Sequence, residues 1–359
     1  MEITVLIITI FLSGILSSLF SCLIGIFSPK YKIFDHFKDR NHEDKEIPRI
    51  GGVILFLSFL ITLLFVRVTF PENFKDLDLN INSILLSVAV LIIFFLGAYD
   101  DLKGANAWKK LTFQTIAAVL IYTAGIKIAE ISIPFIGTKS LSFHILPFFL
   151  TILWVVGITN AVNILDGLDG LAVGVSFFAA FSLGVLALLS FQHQIVIIIA
   201  ALLGAMIGFY PFNFPRAKIF LGDSGSLLIG FALAVLSMAK IHRKASLAVA
   251  LMIPIIILFL PILETIVTII RRTTKKAHIF KGDKDHLHYR FLRKGFSETK
   301  TTLVLIFISF LFSLSGILIE FVQRKMRFLI FILIFFICFL LLSYLGYISI
   351  NSKKAKRVD

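Results

Sequence analysis

A chain of 359 residues that is 58% hydrophobic and only 16% charged, with a mean hydropathy of +0.98, is too apolar for a soluble domain, where apolar residues make up about 45–50%. Its long apolar runs lack two-residue alternation, so they are expected to be membrane helices, because lipid offers no partner to an unpaired backbone group. The formal net charge of +14 fits cytoplasmic loops and anionic headgroups. Nucleic-acid binding is disfavoured, since the basic residues are scattered among loops without interleaved aromatics.

In chain order, the run from Ile3 to Phe27 follows Met1–Glu2 with no basic segment and exceeds a signal-peptide core, so it predicts a retained first helix. Marking every apolar run gives about eleven spans, centred near Ser13, Leu60, Val90, Leu120, Ile152, Leu183, Leu203, Ala232, Ile257, Phe310 and Leu340. The expected fold is therefore an all-α polytopic integral membrane protein. Residues 1–350 would form one domain, and 351–359 a basic cytoplasmic tail. With the N-terminus outside and the C-terminus cytoplasmic, 25 of the 35 Lys and Arg fall inside, in segments 28–49, 100–110, 212–222, 271–300 and 351–359. The outward loop "ISIPFIGTKSLSFH" (131–144) alternates around Gly137–Thr138–Lys139, predicting a small outer-face β-hairpin. Cys22 and Cys338 lie within apolar runs and suggest no disulfide.

Five stretches interrupt this pattern: "KEIPRIGG" (45–52), "YDDLKGANAWKK" (99–110), "NAVNILDGLDG" (160–170), "NFPRAKIFLGDSGS" (213–226) and "DKDHLHYR" (283–290). Each lies between an odd-numbered span and the next even-numbered one, so parity puts all five on one face, the cytoplasmic one by charge. Asp100 and Asp101 close the third span, where the helix dipole disfavours carboxylates. They are either a solvated helix end or a site for a divalent cation or phosphate. Asn160, Asn163, Asp166 and Asp169 recur every third residue, a step about 60° short of a full turn, so an uninterrupted helix cannot align all four. Gly167 and Gly170 are expected to loosen the helix end and let them converge.

Intramembrane polar groups are functional by default. "FLGDSGS" offers either a simple N-cap at Asp223–Ser224 or backbone amides for a phosphate. Together with the other stretches it suggests a diphosphate held with Mg²⁺, which suits Asp and Asn oxygens. His286 and His288, two apart, share a face only in extended chain. With His278, Lys281 and Lys284 they fit phosphate or sugar binding better than structural zinc.

These motifs, in order and over essentially the whole chain, resemble the polyprenyl-phosphate N-acetylhexosamine-1-phosphate transferases, a family that includes the MraY and WecA/TagO groups. The resemblance implies transfer of a sugar 1-phosphate from a UDP-sugar (a UDP-N-acetylhexosamine) to a polyprenyl phosphate such as undecaprenyl phosphate, releasing UMP. Such a reaction starts lipid-linked envelope glycans, among them lipopolysaccharide or teichoic acid. "HIFKGDKDHLHYR" is similar to the WecA-type motif HIFxxDxxHxHHR, with Tyr289 in place of a His, and "IPRIGG" stands where MraY-type chains have TPTMGG. The implied donor is UDP-N-acetylglucosamine, with the MraY-type muramoyl-pentapeptide donor as the alternative.

By the same resemblance Asp223 and Asn163 would hold Mg²⁺, for which Mn²⁺ is the expected substitute. Asp169 and Phe220 would hold uracil by hydrogen bonding and stacking. Asp166, Asn213 and Lys45 match nucleotide-site positions, and Asp283, His286 and His288 fall in the sugar-recognition motif. Asp100 and Asp101 match the pair implicated in catalysis, by direct attack or through a covalent intermediate. Direct attack is favoured on chemical grounds, since the acceptor phosphate is largely dianionic near neutrality. A multi-pass plasma-membrane location and a homodimer are also implied. Two other classes remain as alternatives: a cation transporter, which would place these groups near the bilayer midplane, and a structural scaffold, which would not need the Asn/Asp series.

Overall fold

The computed structural model describes residues 3–31, 47–74, 81–128, 130–133, 137–140, 145–239, 252–274, 285–322 and 324–347. Lys45 and Asp283 lie outside the described residues, as do His278, Lys281, Lys284 and the 351–359 tail. The chain runs through α1 (Ile3–Tyr31), α2 (Gly51–Thr69), α3 (Ile81–Lys103) and α4 (Ala107–Thr123). Two short strands follow, β1 (Glu130–Ile133) and β2 (Gly137–Ser140), paired antiparallel with Ser132 opposite Thr138. Then come α5 (Ile145–Leu165), α6 (Leu171–Leu189), α7 (His193–Asn213), α8 (Gly222–Met238), α9 (Met252–Ile257), α10 (Phe259–Thr274), α11 (Leu287–Arg293), α12 (Glu298–Phe321) and α13 (Arg324–Tyr344).

All eleven predicted centres fall in helices. Among the described residues, seven helices (α1, α2, α3, α5, α6, α7 and α12) are long and apolar enough to cross a membrane, while α8 and the Ile332–Tyr344 part of α13 are shorter apolar helices. The chain is a multi-pass membrane protein. The span expected around Ile257 is two helices, α9 and α10, broken at Leu258. Pro261 explains the break, because it has no N–H to give the carbonyl of Ile257, one turn back.

In lipid, helices gain little from burying apolar surface against each other, so small residues and hydroxyls set the contacts. The α1–α7 pair shows this well. A Cβ on Gly204 would lie 2.4 Å from the carbonyl oxygen of Ile10, and one on Gly208 would lie 2.2 Å from that of Gly14. Ser13 and Ser17 donate across the same contact to the carbonyls of Ala201 and Ala205 at 2.6 and 2.7 Å.

The same device surrounds the start of α8, which is buried along most of its length. A Cβ on Gly52 of α2 would meet the Gly225 nitrogen at 2.2 Å, and one on Gly97 of α3 would meet Ser224 Cα at 2.4 Å. Farther along α8, a Cβ on Gly230 would lie 2.9 Å from Thr159 of α5. Three helices thus close on α8 backbone to backbone. Gly52→Ala is expected to cost about 1–3 kcal/mol or more by overpacking against main chain that has no rotamer to change, read as a lower thermal midpoint of the detergent-solubilised protein.

Candidate active site

The puzzle of two carboxylates at the end of α3 resolves across the helix interface. Asp101, only 4% exposed, accepts from the backbone N–H of Asp223 (2.7 Å) and of Ser224 (2.9 Å). These amides belong to the first turn of α8, whose own N-cap residue Leu221 makes no side-chain capping bond. A carboxylate poorly placed for its own helix dipole therefore sits on the favourable end of another. Gly222, at φ +74°, makes the approach feasible, since a Cβ there would lie 2.8 Å from either Asp101 oxygen. The amides that the sequence offered to a phosphate are thus taken by Asp101, and neither Asp223 nor Ser224 acts as the cap.

Asp100 points to different neighbours. One oxygen accepts from the Ala105 N–H at 2.6 Å, and the other forms an ion pair with Lys110. The Lys110 ammonium also lies 3.1 Å from Asp223 Oδ1. Asn163, near the end of α5, donates its side-chain amide to the same Asp223 oxygen and to Ser226 Oγ (2.8 Å). Four helices, α3, α4, α5 and α8, therefore deliver Asp100, Lys110, Asn163 and Asp223 to one point. Two carboxylates so placed repel each other, and Lys110 offsets that repulsion. Lys110 follows the α4 N-cap Asn106 by one turn, where a cation opposes the helix dipole; the two carboxylates account for its position.

The Asn/Asp series divides among several partners. Asn160 pairs with Gln114 of α4 through reciprocal amide bonds of 2.6 and 3.3 Å, away from Asp223. After α5 ends at Leu165, a turn through 166–170 replaces the helix, closed by Gly170 at φ +71°. Asp169 Oδ2 accepts from the Ala217 N–H at 2.8 Å. Asn213, buried, accepts from the Gly170 N–H (3.1 Å) and donates to the Ile219 carbonyl (3.0 Å), clasping this turn to the segment before α8. That segment also runs beside the start of α2. The N–H of half-buried Phe220 donates to the Pro48 carbonyl (2.9 Å), and the Phe220 and Leu221 carbonyls accept from Gly51 (3.0 Å) and Gly52 (2.9 Å).

The histidines form a second cluster. His286 is the extended N-cap of α11 and His288 lies within that helix, yet their rings stack with centroids 5.6 Å apart at 18°. With His286 extended as the cap, the two rings share a face, as their two-residue spacing requires. His288 is buried against Gly167, where a Cβ would lie 2.5 Å from the ring, so the cluster abuts the turn between Asp166 and Asp169. Asp285 anchors the other side. Arg290 grips it with two hydrogen bonds (3.1 and 2.9 Å), Arg293 pairs with the same carboxylate, and Arg271 lies 3.5 Å away. Tyr347, just beyond α13, stacks on the Arg290 guanidinium at 3.4 Å and donates to the Asp285 carbonyl at 3.0 Å. Burial, then the charge of Glu264, pushes the Tyr347 phenol up to about 12.

A family model described as glycosyl transferase family 4 matches residues 83–241. Over 286 residues the chain is 35% identical to a probable undecaprenyl-phosphate N-acetylglucosaminyl 1-phosphate transferase of Bacillus subtilis, covering 80% of this chain and 77% of that relative. An undecaprenyl-phosphate alpha-N-acetylglucosaminyl 1-phosphate transferase of Thermotoga maritima is 31% identical over 304 residues, 85% of this chain and 88% of its own. A phospho-N-acetylmuramoyl-pentapeptide-transferase of Lactobacillus johnsonii is 37% identical over 275 residues, 73% and 82% respectively.

The chain belongs to glycosyl transferase family 4. Within the family it falls in the WecA-like branch. The matched glycosyl transferase segment contains Asp100, Asp101, Lys110, Asn163, Asp166, Asp169, Asn213, Phe220 and Asp223, while Glu264, Asp285, His286 and His288 follow it. Two further residues of this family 4 chain come forward in the structure. Lys110 was one of several lysines after the Asp pair, with no spacing to distinguish it. Glu264 did carry a signal, as the one acid between Asp223 and Asp283.

Proposed function

We propose that the protein transfers N-acetylglucosamine 1-phosphate from UDP-N-acetylglucosamine to undecaprenyl or a similar polyprenyl phosphate, releasing UMP and starting a lipid-linked envelope glycan. The observation that carries this reading is the meeting of Asp100, Lys110, Asn163 and Asp223 from four helices. Its setting is the plasma membrane, spanned about eleven times, with the N-terminus outside and the site and C-terminus cytoplasmic. Residues 1–350 form the transferase domain, paired as a homodimer, and the hairpin lies on the outer face.

Mg²⁺ fits the donor set. Asp100 and Asp223 supply hard carboxylate oxygens around a point already occupied by a cationic group, Lys110, and Asn163 can add an amide oxygen. Among the described residues no group of three or more His, Cys, Asp or Glu forms a ready metal cage. That suits an ion that takes one or two carboxylates and completes its shell with waters and substrate phosphates. Asp223 and Asn163 would hold it, and it would neutralise charge across the diphosphate.

The acceptor phosphate oxygen attacks the donor's β-phosphorus, forming one P–O bond as the bond to the UMP oxygen breaks. Lys110 provides a fixed positive charge where two carboxylates meet, and preorganised charge of this kind does most of the work in phosphoryl transfer. Asp100 orients the acceptor or takes its residual proton. Asp101, with both oxygens committed to α8, positions Asp223. Phe220 and Asp169 hold uracil, with Asp166 beside them and Asn213 bracing the turn that carries Asp169; His286 and His288 serve the sugar phosphate, and the motifs assign Lys45 to the nucleotide and Asp283 to the sugar phosphate.

Purified protein given polyprenyl phosphate, Mg²⁺ and a panel of UDP-sugars is expected to release UMP with UDP-N-acetylglucosamine. Release only with UDP-N-acetylmuramoyl-pentapeptide would favour the second reading, which the 37% identity to a pentapeptide transferase supports. No release with any donor would overturn both. Phe220→Ala is expected to weaken UDP-sugar binding by about 1–3 kcal/mol, as for loss of one aromatic–base stack, while the affinity for polyprenyl phosphate stays unchanged. Isothermal calorimetry with each substrate separates the two effects.

A further inference from the structure

We propose that Glu264 is a positioning residue, fixing His286 so that the ring's Nε2 faces the sugar 1-phosphate of the donor. This rests on assigning His286 to donor recognition. Glu264 lies on the buried stripe of α10 with Thr268 and Arg271, four and seven residues on, and is only 1% exposed. A carboxylate so deeply buried is costly unless its oxygens are satisfied. Both are engaged by consecutive residues of one turn. Oε1 lies 2.7 Å from His286 Nδ1, and Oε2 accepts from the Leu287 N–H at 3.0 Å. Thr268 Oγ1 stands 3.3 Å from the same ring nitrogen.

An ionised carboxylate can only accept, so the proton between Glu264 and His286 belongs to Nδ1. The opposite ring nitrogen, Nε2, is thereby left as the group presented to a ligand, and it donates to a phosphate oxygen when the ring carries both protons beside the Glu264 carboxylate. The Leu287 bond fixes the main chain where α11 begins, and the hold of Arg290 and Tyr347 on Asp285 fixes it on the other side of His286. The imidazole can then neither rotate nor change tautomer without breaking a buried contact. From His286 the path to the nucleotide residues is short: its ring stacks on His288, and His288 packs on Gly167 between Asp166 and Asp169. Glu264 thus acts on the site from behind the histidine pair.

The test compares E264Q, E264D, H286Q and the E264Q/H286Q double variant in the UMP-release assay. E264Q is expected to raise the KM for UDP-N-acetylglucosamine by roughly tenfold, as for the loss of one hydrogen bond to a charged group, without changing the KM for polyprenyl phosphate. E264D should restore part of the loss, and E264Q should add nothing once His286 is Gln. A wild-type donor KM in E264Q, or losses that add fully in the double variant, would overturn the proposal. A wild-type donor KM in H286Q would instead show that His286 does not touch the donor, which removes its premise. In the wild-type protein, ¹⁵N-histidine NMR, with the His286 signal identified by its loss in H286Q, should show a protonated Nδ1. A neutral ring protonated only at Nε2 would also overturn it.

Discussion

Asp223→Asn is expected to reduce kcat/KM for sugar-phosphate transfer by at least about a thousandfold, the factor that several kcal/mol of lost charge stabilisation corresponds to. The substitution keeps the side chain's shape and leaves the α8 backbone amides on Asp101, so the fold should survive. What changes is the charge at the meeting point. Lys110 would retain Asp100 but lose its contact with a carboxylate on α8, and the hard anionic oxygen proposed for Mg²⁺ would become a neutral amide. Chelation of divalent cations should silence the wild-type enzyme to a similar level, and added Mg²⁺ should restore it but not the variant. An Asp223→Asn protein with near wild-type turnover in the UMP assay would remove the metal and charge assignment together.

The adjacent carboxylates should separate in a different way. Asp101→Ala is expected to destabilise the protein by on the order of 2–4 kcal/mol, the loss of two charge-assisted bonds that cap a helix. Asp100→Ala should cost less, about 1–2 kcal/mol for the single backbone bond lost at Ala105, because Lys110 keeps Asp223 as a partner. Both should lose transfer: Asp100→Ala because the oxygen proposed to orient the acceptor is gone, Asp101→Ala because the first turn of α8 no longer holds Asp223 in place. Thermal unfolding in detergent, read beside single-turnover rates, distinguishes them. Equal stability losses in the two variants would contradict the division of the pair into one reacting and one capping residue.

Several features of this site were legible from residue order. The polar interruptions stand between apolar runs and carry the residue types of phosphate chemistry, so they could be read as parts of one site before any contact was known. The breakdown of helix between Asn163 and Asp169 followed from Gly167 and Gly170. Partner choice was not legible in the same way. Nothing in "NAVNILDGLDG" indicates that Asn160 turns to Gln114 while Asn163 turns to Asp223, because that choice depends on which helices lie on either side of α5. Asn213, matched to a nucleotide position, uses both ends of its amide on the backbone of Gly170 and Ile219. The single span expected near Ile257 ignored Pro261, whose missing donor matters once the surrounding chain must bury α10.

The amino-acid sequence alone established a membrane-embedded, helical chain and the chemistry it carries, because hydropathy and residue type are properties of the chain itself, unaffected by folding. Tertiary packing alone decided the division of labour among those residues. Hydrogen bonds and ion pairs act over a few ångströms, and only the glycine-lined approach of α2, α3 and α5 to α8 brings Asp101 to the Asp223 and Ser224 amides and Lys110 between two carboxylates.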